Sequence, residues 1–85
     1  MAEREAILVE REKTHGDYHK QTYTAQNIKL QMRDTPNWDV MLPAKRESLE
    51  LIATKIARIL HGDCSEPDHW NDIAGYAKLG AEACK

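Results

Sequence analysis

Apolar positions recur at a helical period in separate stretches, and the breaks between them are marked by Gly16, Pro36, Pro43, Gly62 and Pro67. Four helices are predicted. The first runs from about Glu3 to Lys13 and ends at Gly16, with Ala6, Ile7, Leu8 and Val9 bunched in its middle. The second opens after Asp17 as N-cap and runs to about Arg33, carrying Ala25, Ile28 and Met32 on one stripe and Tyr23 and Leu30 on another. Thr35-Pro36-Asn37-Trp38 reads as a cap and one short turn, from which Trp38, Val40, Met41 and Leu42 fold back onto the bundle. The third helix opens near Pro43 and ends at about Leu60. Leu49, Ile52, Ala53, Ile56, Ile59 and Leu60 form its continuous apolar face, and Glu47, Glu50, Thr54, Arg58 and His61 lie opposite.

The fourth helix opens between Ser65 and Asp68 and continues to about Ala83. Trp70, Ile73, Ala74, Ala77 and Ala81 make one stripe; Asp68, Asp72, Tyr76, Leu79 and Ala83 make a second. A helix this apolar around its circumference is expected to be buried or to face a second copy, with Trp70 in the core. Gly75 weakens the helix, so it is expected to serve a close approach or to leave room for a ligand. His15-Gly16-Asp17 and His61-Gly62-Asp63 read as two helix ends, glycine taking the turn and histidine favouring the negative end of the dipole. No stretch alternates as a strand does. The expected fold is all-α, an antiparallel bundle of four principal helices in a single domain over residues 1–85.

Size and charge narrow the function. A chain of 85 residues buries little of its unfolded surface and is marginal alone, so completion by a homodimer is expected. Twelve Lys and Arg against fourteen Asp and Glu give 12 − 14 = −2, which argues against a general nucleic-acid or anionic-membrane binder. No apolar run is long enough for a membrane span, and the charged start Met1-Ala2-Glu3-Arg4-Glu5 does not read as a signal peptide. Cys64 and Cys84 make no disulfide framework, so a reducing cytoplasm is the expected compartment.

Two acidic sets could carry chemistry. Glu47 and Glu50, at i and i+3, share an edge of the third helix, and Asp68 and Asp72, at i and i+4, share one of the fourth. Converging across antiparallel helices, they would offer Mg²⁺ its oxygen ligands. Set apart, they are a solvated face, and Asp68 three residues after Ser65 has the spacing of a capping box. Asp72 shares its stripe with Tyr76 and Leu79 and so needs a nearby cation; a polar pocket with Glu47 or Glu50 and at least one of Lys55 and Arg58 is expected. Lys55 and Arg58 would neutralise phosphate oxygens, or close salt bridges with Glu47, Glu50 and Glu66. His69 could act as acid or base near neutrality. His61, Cys64 and His69 match no usual zinc spacing.

The run from Arg46 to Gly62, the run from His69 to Leu79, Arg11-Glu12-Lys13-Thr14-His15-Gly16-Asp17 and Pro36-Asn37-Trp38 together resemble a family of small phage and prophage helical proteins. That family looks like a compact, divergent branch of the MazG-like all-α nucleoside triphosphate pyrophosphohydrolases. The superfamily pattern is Glu-x-x-Glu on one helix and Glu-x-x-Asp on a later one. Glu47 and Glu50 match the first element and Asp72 the last position of the second; His69 stands where the remaining Glu is expected, one residue after Asp68. The resemblance implies Mg²⁺ on Glu47, Glu50, Asp68 and Asp72, catalysis by Glu47, Glu50 and Asp72, and substrate contacts from Lys55, Arg58, His69 and Tyr76. The implied reaction cleaves an NTP or dNTP to the monophosphate and pyrophosphate, in a dimer or tetramer, in the cytoplasm of a phage host; a relative that only binds the nucleotide belongs to the same reading. The alternative is a non-catalytic helical module that binds a host or phage protein.

Overall fold

The computed structural model describes residues 17–84, which form three α-helices and one 3-10 turn. Helix α1 spans Tyr18–Arg33, the 3-10 turn Trp38–Val40, helix α2 Pro43–His61 and helix α3 Pro67–Glu82. No strand occurs among the described residues, and the fold is all-α. The expected first helix, about Glu3 to Lys13, lies outside them.

Local chemistry sets the boundaries. The Asp17 carboxylate accepts from the Lys20 backbone N–H at 3.2 Å and caps the free start of α1. At the far end, the Asp34 N–H returns to the carbonyls of Leu30 and Gln31, and the Thr35 hydroxyl donates to the Met32 carbonyl. Pro43 and Pro67 open α2 and α3, where a missing N–H costs nothing. The connector folds inward as expected at Trp38, which is buried, and the Arg46 Nε donates to the Met41 carbonyl at 3.0 Å; Val40 and Leu42, however, stay exposed. The start of α3 differs from the expected Ser65–Asp68 box. Glu66 is the cap, accepting from the Asp68 N–H, while Asp63 accepts from the Ser65 N–H. Two short acidic turns replace one reciprocal pair.

Helix α2 is the central element, packed on α1 and on α3. Its links to α1 run through Glu50, paired with Arg33, and His61, bonded to Thr24 at 2.6 Å. Its links to α3 run through Lys55, paired with Asp72, and Ser48, beside Gly80. At about 100° per residue these two sets fall on nearly opposite sides of α2. The contacts are made by small residues: Ala25, Ala53 and Ala57 are at most 5% exposed, and Ser48 is buried with them. Small side chains let the helix axes approach closely.

Gripping α2 from two sides changes which of its residues are buried. Ala53 and Ile59 are buried as expected, and Ile52 and Ile56 are half-buried. Leu49 and Leu60, expected in the same face, are 41% and 66% exposed. The apolar arc is broader than either contact and falls between them. On α3 the expected orientation is overturned more fully. His69, Asp72, Ile73, Tyr76, Gly80 and Ala83 turn toward α2, whereas Ala74, Ala77 and Ala81 are exposed and Trp70 is 55% exposed. Trp70 instead lies over the α2–α3 loop, its indole N–H donating to the Cys64 carbonyl at 3.1 Å. Among the described residues Gly75 has no neighbour within 4 Å of where a Cβ would stand, so it serves no close approach between them; Gly80, 3.5 Å from the Ser48 Cβ on the same measure, does. No helix among the described residues is long and apolar enough to cross a membrane.

Candidate functional site

The antiparallel pairing of α2 and α3 sets Lys55 level with Asp72. The ammonium reaches the carboxylate at 2.9 Å, with the lysine side chain 13% exposed and the aspartate 46% exposed. Burying most of a lysine requires a partner, and Asp72 supplies it. Arg58 follows Lys55 by one turn on the same edge. Its Nε is buried and has no hydrogen-bond partner among the described residues. His69 is buried one turn before Asp72. The Lys55 hydrogen bond holds the Asp72 carboxyl below its ordinary value; partial burial opposes this, and the charges of Lys55, His69 and Arg58 add to the lowering. With two obligate cations against one carboxylate, the cluster carries excess positive charge and would favour an anion.

The other sequence-predicted residues lie elsewhere. Glu47 and Glu50 border a cleft of about 300 Å³ with Arg33, Trp38, Pro43 and Arg46 at the opposite end of α2. Glu50 is engaged by Arg33, and Glu47 is exposed. Asp68 is exposed in the first turn of α3. Tyr76 lines an apolar cleft of about 290 Å³ with Met41, Lys45, Ser48, Leu49, Ile52, Ala77 and Gly80. Asp72 therefore gains the expected Lys55, but the cleft that holds Glu47 and Glu50 does not include it. Likewise, Lys55 closes its bridge with Asp72 rather than with Glu47, Glu50 or Glu66.

Among the described residues, no three His, Cys, Asp or Glu side chains come together to hold a metal ion. The four carboxylates considered for Mg²⁺ are divided among three places, so one chain's described residues do not fit a complete Mg²⁺ cage, which wants near-octahedral oxygens. His61, one of the residues weighed for zinc, is bonded to Thr24, and Cys64 and Cys84 are free thiols.

Sequence reasoning missed Arg33 and Arg46 as neighbours of the two glutamates. Their only local signal was position, Arg33 in the last turn of α1 and Arg46 near the start of α2. Arg46 stands one turn before Glu50 on the same helix, a spacing the sequence already offered, whereas Arg33 points to Glu50 only once α1 crosses α2.

Residues 1–84 match DUF6378, a domain of unknown function, and the chain belongs to that family. Comparison with curated proteins and with solved structures returned no match.

Proposed function

We propose that this member of the DUF6378 family binds the phosphate chain of a nucleoside triphosphate at Lys55 and Arg58, as a phage-encoded relative of the MazG-like pyrophosphohydrolases. The observation that carries the reading is the uneven cluster: two cations one turn apart, one of them with a buried donor to spare, against the single carboxylate of Asp72. Asp72 fixes the Lys55 ammonium, and the Arg58 guanidinium is the group left to grip phosphate in bidentate fashion. His69 lies beside the cluster, and Tyr76 one turn beyond Asp72. Cleavage between the α- and β-phosphates is the reaction the sequence resemblance implies. Glu47 and Glu50, which line one cleft together, are the carboxylates that would help to hold Mg²⁺. In the same reading the fold is an antiparallel bundle of four principal helices, with Glu3–Lys13 as the first, completed by a homodimer in the host cytoplasm.

The test is a panel of NTPs and dNTPs, with Mg²⁺ or with chelator, reading both binding and pyrophosphate release. Release that depends on Mg²⁺ and is lost in Glu47→Gln and in Arg58→Met is the expected result. Binding without release, abolished by Arg58→Met, would leave a nucleotide-binding protein that is not an enzyme. Neither binding nor release would remove the nucleotide reading.

A second reading has its own observation. Scattered carboxylates and the exposed Leu49, Leu60 and Trp70 suit a non-catalytic helical module that docks a host or phage protein.

A further inference from the structure

A third cleft lies where the first two turns of α1 meet the end of α2. It has a volume of about 380 Å³ and is lined by His19, Lys20, Tyr23, Thr24 and His61. We propose that this cleft takes the nucleobase of the nucleotide whose phosphates Lys55 and Arg58 grip. The inference rests on the nucleotide reading above and adds the seat of the base.

The chemistry of the walls selects the ligand. His19, Tyr23 and His61 all carry planar rings, and the ring of Tyr18 stands edge-on to that of His19, with centroids 6.3 Å apart. Planar rings stack on the face of a base, whichever base it is. No carboxylate of the described residues lines the cleft, so nothing in it calls for a cation. Lys20 supplies a donor for a base carbonyl or ring nitrogen. One wall is held in place before any ligand arrives: the His61 ring is bonded to the Thr24 hydroxyl at 2.6 Å, and both residues are half-buried. Position links the cleft to the cations. His61 follows Arg58 by three residues, so the two share an edge of α2 and stand about 4.5 Å apart along its axis. The ribose, which joins a base to its α-phosphate, has that step to bridge. The apolar cleft beside Tyr76 is a poorer seat, because its walls are chiefly aliphatic and Ser48 and Leu49 set it toward the start of α2, away from Arg58.

The full chain is titrated by calorimetry, with chelator present, against ATP, GTP, CTP, dTTP and inorganic tripolyphosphate, the last being a phosphate chain without a base. At least one nucleotide is expected to bind about tenfold or more tightly than tripolyphosphate. Tyr23→Ala is expected to erase that difference and to leave tripolyphosphate binding unchanged, Tyr23→Phe to keep the difference, and Arg58→Met to weaken both kinds of ligand. Tyr23 is 72% exposed, so its truncation removes little packing. Circular dichroism checks that Tyr23→Ala folds; if it does not, His19→Ala takes its place with the same expected result. Equal binding of the nucleotides and tripolyphosphate by the parent protein overturns the base subsite and keeps the phosphate reading. A preference for nucleotide that survives the alanine variant places the base elsewhere, and also overturns the proposal. Binding of neither kind of ligand removes the phosphate reading and this inference with it.

Discussion

Lys55 and Asp72 depend on each other unequally. The lysine is mostly buried and the aspartate half-exposed, so losing the carboxylate strands a cation that water cannot easily reach. The pH dependence follows from the Asp72 shift. Its folded-state pKa lies below the ordinary value of 3.8, chiefly because of the Lys55 hydrogen bond. A lowered pKa means that the pair's stabilisation is fully present above the unfolded value and is lost as the pH falls through the folded one. Asp72→Asn is therefore expected to melt at a lower temperature than the parent at neutral pH, with the gap closing as both are titrated below about pH 4. Thermal melts across that range measure it, and a gap that persists unchanged in acid would detach Asp72 from the stability of the fold. If Asp72 holds Lys55 for phosphate, the same variant also weakens nucleotide binding at neutral pH.

At the scale of the element, α3 carries a correctable weakness. Gly75 sits in the helix interior with no described residue near the place where a side chain would stand. A glycine there costs about 1 kcal/mol relative to alanine through backbone entropy. Gly75→Ala is expected to stabilise the protein by about that amount in a denaturant titration, with an unchanged slope. Destabilisation instead would show that the position meets a surface beyond the described residues. Gly80 is a different case, because its missing side chain lies against Ser48 where α2 and α3 approach. The helix limits themselves were legible. Asp17, Pro43, Pro67 and Gly62 are local signals, each acting within a turn of its own position, and the three described helices begin and end within a residue or two of where those signals put them. The orientation of α3 was not legible. Its inward face follows neither stripe: it takes Ile73 from one and Asp72, Tyr76 and Ala83 from the other, with His69 and Gly80 between them, because Asp72 and Gly80 meet a cation and a small side chain on α2, and Asp68 and Leu79 are left exposed.

For the whole molecule, the outer stripe of α3 faces away from α2. Ala74 and Ala81 are exposed beside a half-exposed Trp70. Small residues flanking an aromatic allow two helices to approach and bury it, so this stripe is the surface on which the proposed homodimer would form. Sedimentation equilibrium at micromolar concentration is expected to give two copies, and Ala74→Glu to give one with unchanged helix content. A parent protein that sediments as one copy would reject the dimer and leave the nucleotide proposal standing.

The sequence by itself determined the helical class, the limits of the described helices and the acidic and basic residues open to chemistry, because periodicity and capping act over a few residues. It also placed a cation beside Asp72, since a carboxylate on a partly apolar stripe requires one. Only the tertiary structure decided that the cation is Lys55, that Arg33 engages Glu50, and that the glutamates and Asp72 stand apart. Those outcomes depend on the angle at which each helix is rotated about its axis. That angle is set where small residues of α1 and α3 meet opposite sides of α2, a relation between positions distant in sequence that no local pattern records.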